Sequence, residues 1–267
     1  MATVIVTGAA SGIGRATATR LAVDGWDVVA VDRDPLPAAA GSADGALTPC
    51  VADVATEAGN AAMVEAALAA TGRLDGLVLN AAVSAAGPID TEPIEDLDRM
   101  LAINLRGVVL GVRAALPALR EGSARGDGDG RGPAIVVTAS VSGLGGDPLM
   151  WAYNTAKGGV VNFVRAAAID LGTEGIRVNA VCPGPIGGTG MTSPMEVHAP
   201  DRYEELRRSV PLGRFGRPDE VAAVISFLLS ADASYVNGVM LPVDGGANAG
   251  SGLFQPGSRA AVSEAAT

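Results

Sequence analysis

The chain has 267 residues, 48% of them apolar, with a formal net charge of −10 and a pI near 4.6. The length suits one large α/β domain, and the acidity, with no dense Lys/Arg patch, argues against nucleic acid as a partner. The single histidine, His198, leaves no multi-histidine metal site, and no metal is expected.

Cys50 and Cys182 lie far apart in apolar surroundings and are expected as buried free thiols. No apolar run approaches the ~20 residues of a membrane span, and the start enters Val4-Ile5-Val6 without a basic segment. A cytoplasmic protein with no membrane partner is the expectation.

In chain order, Thr3–Thr7 is predicted as a strand, Gly12–Val23 as a helix and 27–31 as a second strand. A weak third strand closes at Val51, and 56–70 has helical composition. Residues 76–80 form a buried strand, and 94–119 are largely helical with a break. Residues 121–133, rich in Gly and Asp, are expected as a mobile surface loop. A calcium site there from Asp127 and Asp129 would lack the usual closing glutamate. Ala134–Thr138 is a strand, 152–171 a helix, 177–181 a strand, 218–230 a helix and 239–243 a strand. Such alternation predicts an α/β fold, a doubly wound parallel sheet with helices on both faces. Residues 1–250 are expected as a single domain, and 251–267 as a small, polar tail.

The first chemical signal is Thr7-Gly8-Ala9-Ala10-Ser11-Gly12-Ile13-Gly14, between a strand and a helix. Gly8, Gly12 and Gly14 would let a pyrophosphate approach the backbone and the helix amino terminus, with Ser11 and Ile13 in the same turn. Asp32 ends the second strand, where a carboxylate can accept both adenosine ribose hydroxyls and repel a 2′-phosphate; this favours NAD. Arg33 is the competing signal, since it could hold that phosphate. Asp53 and Val54 follow the third strand and are placed to meet adenine; Asn80 follows the fourth, under the nicotinamide side.

The second signal is Tyr153-Asn154-Thr155-Ala156-Lys157, with a phenol and an ammonium on one helix face. Lys157 is expected to lower the Tyr153 pKa and to bond the nicotinamide ribose. Ser140 would polarise a substrate carbonyl, with Ser142 as its competitor in the same turn. Asn104 lies in an apolar helical run, where it would interrupt the helix, hold a water or face solvent.

Together these residues, with Asn80-Ala81, Pro183-Gly184 and Val243-Asp244-Gly245-Gly246, resemble the short-chain dehydrogenase/reductase family over nearly the whole chain. The resemblance implies a Rossmann-like fold and a Ser140-Tyr153-Lys157 centre assisted by Asn104, which would anchor a proton-relaying water. It implies cofactor contacts from Pro183, Gly184, Ile186 and Thr189, and a homotetramer. Two positions depart from the family pattern: Ala82 replaces a glycine, and an extra glycine in Pro185-Ile186-Gly187-Gly188-Thr189 precedes the threonine expected on the nicotinamide amide.

Residues 187–210, with Met191, Met195, His198, Tyr203 and Leu206, are expected as a lid over a small or medium alcohol or ketone. The rival readings are a non-catalytic dinucleotide sensor and a sugar-nucleotide epimerase or dehydratase on the same cradle. Apolar residues spread around more than one face of the helices near 99–119 and 152–171 mark them, with the carboxy-terminal strand, as oligomer contacts.

Overall fold

A computed structural model describes residues 1–36, 47–125 and 132–250. Its strands are β1 (Thr3–Thr7), β2 (Asp27–Asp32), β3 (Leu47–Val51), β4 (Gly76–Leu79), β5 (Ala134–Thr138), β6 (Arg177–Pro183) and β7 (Met240–Val243). They form one seven-stranded sheet in the order β3-β2-β1-β4-β5-β6-β7, and every pairing is parallel. The helices are α1 (Gly12–Val23), α2 (Glu57–Thr71), α3 (Ile94–Met100), α4 (Gly107–Arg125), α5 (Trp151–Gly172), α6 (Ser193–His198), α7 (Pro200–Ser209) and α8 (Pro218–Leu229).

Alternation along each strand divides the core in two. Val4 and Val6 pack with Val28, Ala30, Val78 and Val136 beneath α1 and α8. Ile5 packs on the opposite face with Leu77, Ile135 and Val178, beneath α2, α4 and α5. With both faces covered, β1 and β5 are buried at every position and carry unbroken apolar or threonine side chains. The edge strands each carry a proline, Pro49 in β3 and Pro242 in β7, positions where a missing N–H leaves the interior ladders intact.

Local signals set the helix ends. Thr56 caps α2 by accepting from Gly59 N at 2.9 Å, and Gly72 ends it in the left-handed region. Arg177 closes the far end of α8, donating to Leu228 O at 2.7 Å and Ser230 O at 3.3 Å. Two expectations are corrected. The strand expected at 76–80 ends at Leu79, so Asn80 opens a loop. The helix expected to stop near 119 runs to Arg125, because Arg120 and Ser123 fasten its last turns to Glu174. Asp127 and Asp129, with the rest of 126–131, and the tail 251–267 lie outside the described residues.

The chain order reverses between β1 and β4, so the loops after them diverge and leave a crevice at the carboxyl ends of the strands.

Candidate active site

At that crevice Thr7 joins β1 to the end of β4. Its Oγ1 accepts from Asn80 N at 2.9 Å and Ala81 N at 3.1 Å, while Asn80 Nδ2 donates to Thr7 O at 3.1 Å. Gly8 and Gly12 hold positive φ, 71° and 51°. A Cβ on Gly14 would lie 2.0 Å from Gly8 O, so Gly14 lets the turn fold back on itself. A Cβ on Gly12 would meet Thr189 Cγ2 at 3.5 Å, an ordinary contact, so its positive φ and not lack of room favours glycine there. Ser11 stands at the amino end of α1 with no side-chain cap bond, and Ile13 packs against the core under α1. A helix amino terminus that presents backbone N–H groups from a glycine turn fits a dinucleotide pyrophosphate.

Asp32 lies beside this turn, accepting from Ala10 N at 2.9 Å and Asp34 N at 3.2 Å. Arg33 is exposed and pairs with Asp34 at 3.6 Å. Asp53 is exposed after β3, accepting from Ala55 N at 2.9 Å, and Val54 O accepts from Asn60 Nδ2 at 2.8 Å. The glycine turn, Asp32, Asp53, Val54 and Asn80 thus occupy the carboxyl ends of neighbouring strands.

Across the crevice, α5 presents Tyr153 and Lys157 on its buried face, 6% and 2% exposed. Lys157 Nζ donates to Thr138 O at 2.7 Å and stands 5.8 Å from the Tyr153 ring centre. The two serines have separate partners. Ser140 Oγ accepts from Ser142 N at 3.1 Å and hydrogen-bonds the Tyr153 phenol, whereas Ser142 Oγ donates to Asp147 Oδ2 at 2.5 Å.

The expected lowering of the Tyr153 pKa by Lys157 does not occur. Burial pushes the phenol up to about 12, against the Ser140 hydrogen bond, and Asp147 adds to the rise. Burial also pulls Lys157 down to about 8, weakening the positive charge it offers the phenol.

Asn104 is fully buried in a π-helical turn, Leu101–Arg106, between α3 and α4. Its Oδ1 accepts from Val83 N at 2.9 Å and its Nδ2 donates to Val83 O at 2.8 Å. The helix is therefore interrupted at Asn104, and the side chain clamps the loop after β4.

Pro183 ends β6, and a Cβ on Gly184 would fall 2.7 Å from Asp244 Cβ, so Gly184 admits the Asp244-Gly245-Gly246 turn. Ile186 is buried, and its carbonyl accepts from Thr192 Oγ1 at 2.7 Å and Thr189 Oγ1 at 3.2 Å. The extra glycine still leaves Thr189 against Gly12, at the cradle.

Val83, Ala85, Met100, Met150 and Trp151 pack around Tyr153. Gly87 N donates to Leu149 O at 2.9 Å, holding the loop after β4 against the turn before α5, where Leu149 has φ 64°. Trp151 Nε1, Asn154 Oδ1 and both Glu92 carboxylate oxygens are buried with no hydrogen-bond partner among the described residues. The expected lid contains α6 and α7; Tyr203 packs edge-on to Phe215 at 4.4 Å, and His198 is exposed. Asp147 and Thr192 lie in the segments expected as pocket wall, 143–151, and lid, 187–210, but neither was singled out, and Thr138 was not expected as part of the site. Asp147 had a signal in its Gly-Gly-Asp-Pro turn, but Thr138 contributes only a backbone carbonyl, which no side-chain motif reports.

Residues 8–248 match a family model described as enoyl-(acyl carrier protein) reductase. The chain is 38% identical to levodione reductase of Leifsonia aquatica over 258 residues, 92% of this chain and 94% of that one. It is 39% identical to meso-2,3-butanediol dehydrogenase of Serratia marcescens over 256 residues, 93% of this chain and 95% of that one. The crystal structure of levodione reductase superposes with a TM-score of 0.85 at 37% identity, covering 93% of this chain and 98% of that one.

Proposed function

We propose, from the premise that this chain belongs to the short-chain dehydrogenase/reductase family, that it interconverts a small or medium secondary alcohol and its ketone with NAD(H). The observation that carries the reading is the convergence of Ser140, Tyr153 and Lys157 at the mouth of a glycine-lined crevice. A non-catalytic sensor needs no buried phenol in contact with a serine hydroxyl, and that rival gains nothing from this arrangement.

In this reading Gly8, Ser11, Gly12, Ile13 and Gly14 hold the pyrophosphate, and Asp32 takes the adenosine ribose. Asp53 and Val54 meet the adenine; Asn80, Pro183, Gly184, Ile186 and Thr189 meet the nicotinamide half. NAD supplies the hydride acceptor, and its reduced form the donor. Ser140 donates a hydrogen bond to the carbonyl oxygen as charge grows there. Tyr153 gives that oxygen its proton in reduction and removes it in oxidation. Lys157 would bind the ribose beside Tyr153, and Asn104, in the π turn, would anchor the proton-relaying water.

A cytoplasmic homotetramer built on one domain over 1–250 completes the proposal. The test is a turnover screen of secondary alcohols with NAD and of ketones with NADH. Absence of turnover in a protein that binds NADH would favour the sensor.

A further inference from the structure

Asp147 has no role in the proton transfer described above, yet two hydrogen bonds through Ser142 link it to Ser140. Its Oδ2 accepts from Ser142 Oγ at 2.5 Å, and Ser142 N donates to Ser140 Oγ at 3.1 Å. Its backbone carbonyl accepts from Asn154 Nδ2 at 3.2 Å and from Met150 N at 3.3 Å, at the start of α5. The carboxylate is held by Ser142 and the backbone by the start of α5, while the residue stays exposed. A group fixed in this way loses little further freedom on meeting a ligand.

Among the described residues no Lys or Arg pairs with Asp147. Beside it, Asn154 Oδ1 is buried without a donor, an unfavourable state until one reaches it. The turn next to Ser140 is therefore rich in acceptors and negatively charged. The charge is felt at the reacting group, since Asp147 contributes to the raised Tyr153 phenol.

Resting on the alcohol–ketone reading, we infer that Asp147 is a specificity-determining residue that accepts a hydrogen bond from a second donor on the substrate. The site then takes neutral vicinal diols and hydroxyketones in preference to plain secondary alcohols. It rejects substrates with a carboxylate near the reacting carbon, because like charges would meet without a counter-ion.

The test compares kcat/KM for three four-carbon alcohols, meso-2,3-butanediol, sec-butyl alcohol and β-hydroxybutyrate, in the wild type, Asp147→Ala and Asp147→Asn. Ratios between substrates cancel any general loss from a disturbed turn. The wild type should prefer the diol to sec-butyl alcohol by at least about tenfold, the worth of one hydrogen bond to a charged group. Asp147→Ala should bring that ratio near unity. Asp147→Asn keeps an acceptor for Ser142 but removes the charge, and should raise β-hydroxybutyrate relative to sec-butyl alcohol by about tenfold. Substrate ratios unchanged within about twofold in both active variants would overturn the assignment of Asp147 alone. Failure of the wild type on all three alcohols and their ketones would overturn the alcohol–ketone reading, and this inference with it.

Discussion

At the scale of single residues, the contrast between Ser140 and Ser142 is the sharpest. Both lie in one turn, but only Ser140 meets the phenol, since the Ser142 hydroxyl is spent on Asp147. Tyr153→Phe should reduce turnover by at least ~10²-fold with folding and NADH binding kept, the lower end for general acid–base catalysis. Ser140→Ala should follow it, and Ser142→Ala should be milder; steady-state kinetics with the reverse order would reassign the serine. The raised phenol also sets a pH dependence. In the proposed mechanism oxidation needs the phenolate, and with the group at about 12 its population grows as pH rises toward that value. Oxidative kcat/KM should therefore climb between about pH 7 and 10, while reduction, which needs the neutral phenol, stays level. Ser140→Ala removes the hydrogen bond that pulls the phenol down, so its oxidative limb should move to still higher pH. A limb that moves to lower pH would contradict this coupling. By similar electrostatics, the proposed preference for NAD rests on Asp32. It stands beside the glycine turn, whereas Arg33 turns to Asp34, so a 2′-phosphate would meet an uncompensated carboxylate. NAD should exceed NADP by at least ~10²-fold in kcat/KM, the result of a few kcal/mol of like-charge cost. Asp32→Ala should narrow the gap, and equal use of both by the wild type would reduce Asp32 to a turn residue.

Among the elements, the interrupted helix from Ile94 to Arg125 shows how sequence patterns and tertiary contacts divide the work. An asparagine in Met100-Leu101-Ala102-Ile103-Asn104-Leu105 signals a break, because its side chain competes with the helix backbone. The break is present as a π turn. What it does was not legible, since the partner is the backbone of Val83, 21 residues away and without a motif of its own. Asn104→Ala should strip both bonds from Val83 and destabilise the fold by ~1–3 kcal/mol, the cost of leaving buried polar groups unpaired. Denaturant titration checks it, and a midpoint equal to the wild type would show that the clamp is dispensable. The same division holds elsewhere. The strands were legible because burial on both faces demands continuous apolar runs, as in Thr3–Thr7 and Ala134–Thr138. The glycine turn was legible because Gly8 and Gly14 meet steric limits that other residues fail. The end of α4 was not, because composition predicts a loop after 120 while Glu174, from a distant turn, holds Arg120 and Ser123 in helix. The phenol was misjudged for a related reason: spacing places Lys157 near Tyr153, but it reports nothing of the burial that acts on both.

For the whole molecule, the outer surface of the α4–α5 layer leads to the last prediction. The helical run Ile94–Ala124, π turn included, is long and apolar enough to cross a membrane by length and composition. Its Val108, Val112, Ala115 and Leu119 instead pack into the core with the sheet, as a core helix does. Apolar residues beyond that stripe, such as Val109 and Leu110, stay half-buried. On α5, Thr155, Asn162, Ala166 and Ile169 form an exposed face, with Ile169 at 74%. Gly158 lies on the same face, and a Cβ there would meet nothing within 4 Å. A glycine in a helix interior costs about 1 kcal/mol relative to alanine, and the chain's own packing at Gly158 gives no return for it. Close approach of the same helix from a second copy across a two-fold axis would, and a second two-fold interface would close the proposed tetramer. Light scattering should report a particle of four 26.5 kDa chains at micromolar concentration. Gly158→Arg should yield smaller particles while the circular dichroism of the protomer is unchanged, since the side chain enters open space. A wild-type monomer, or a Gly158→Arg tetramer as stable to dilution as the wild type, would remove α5 from the interface.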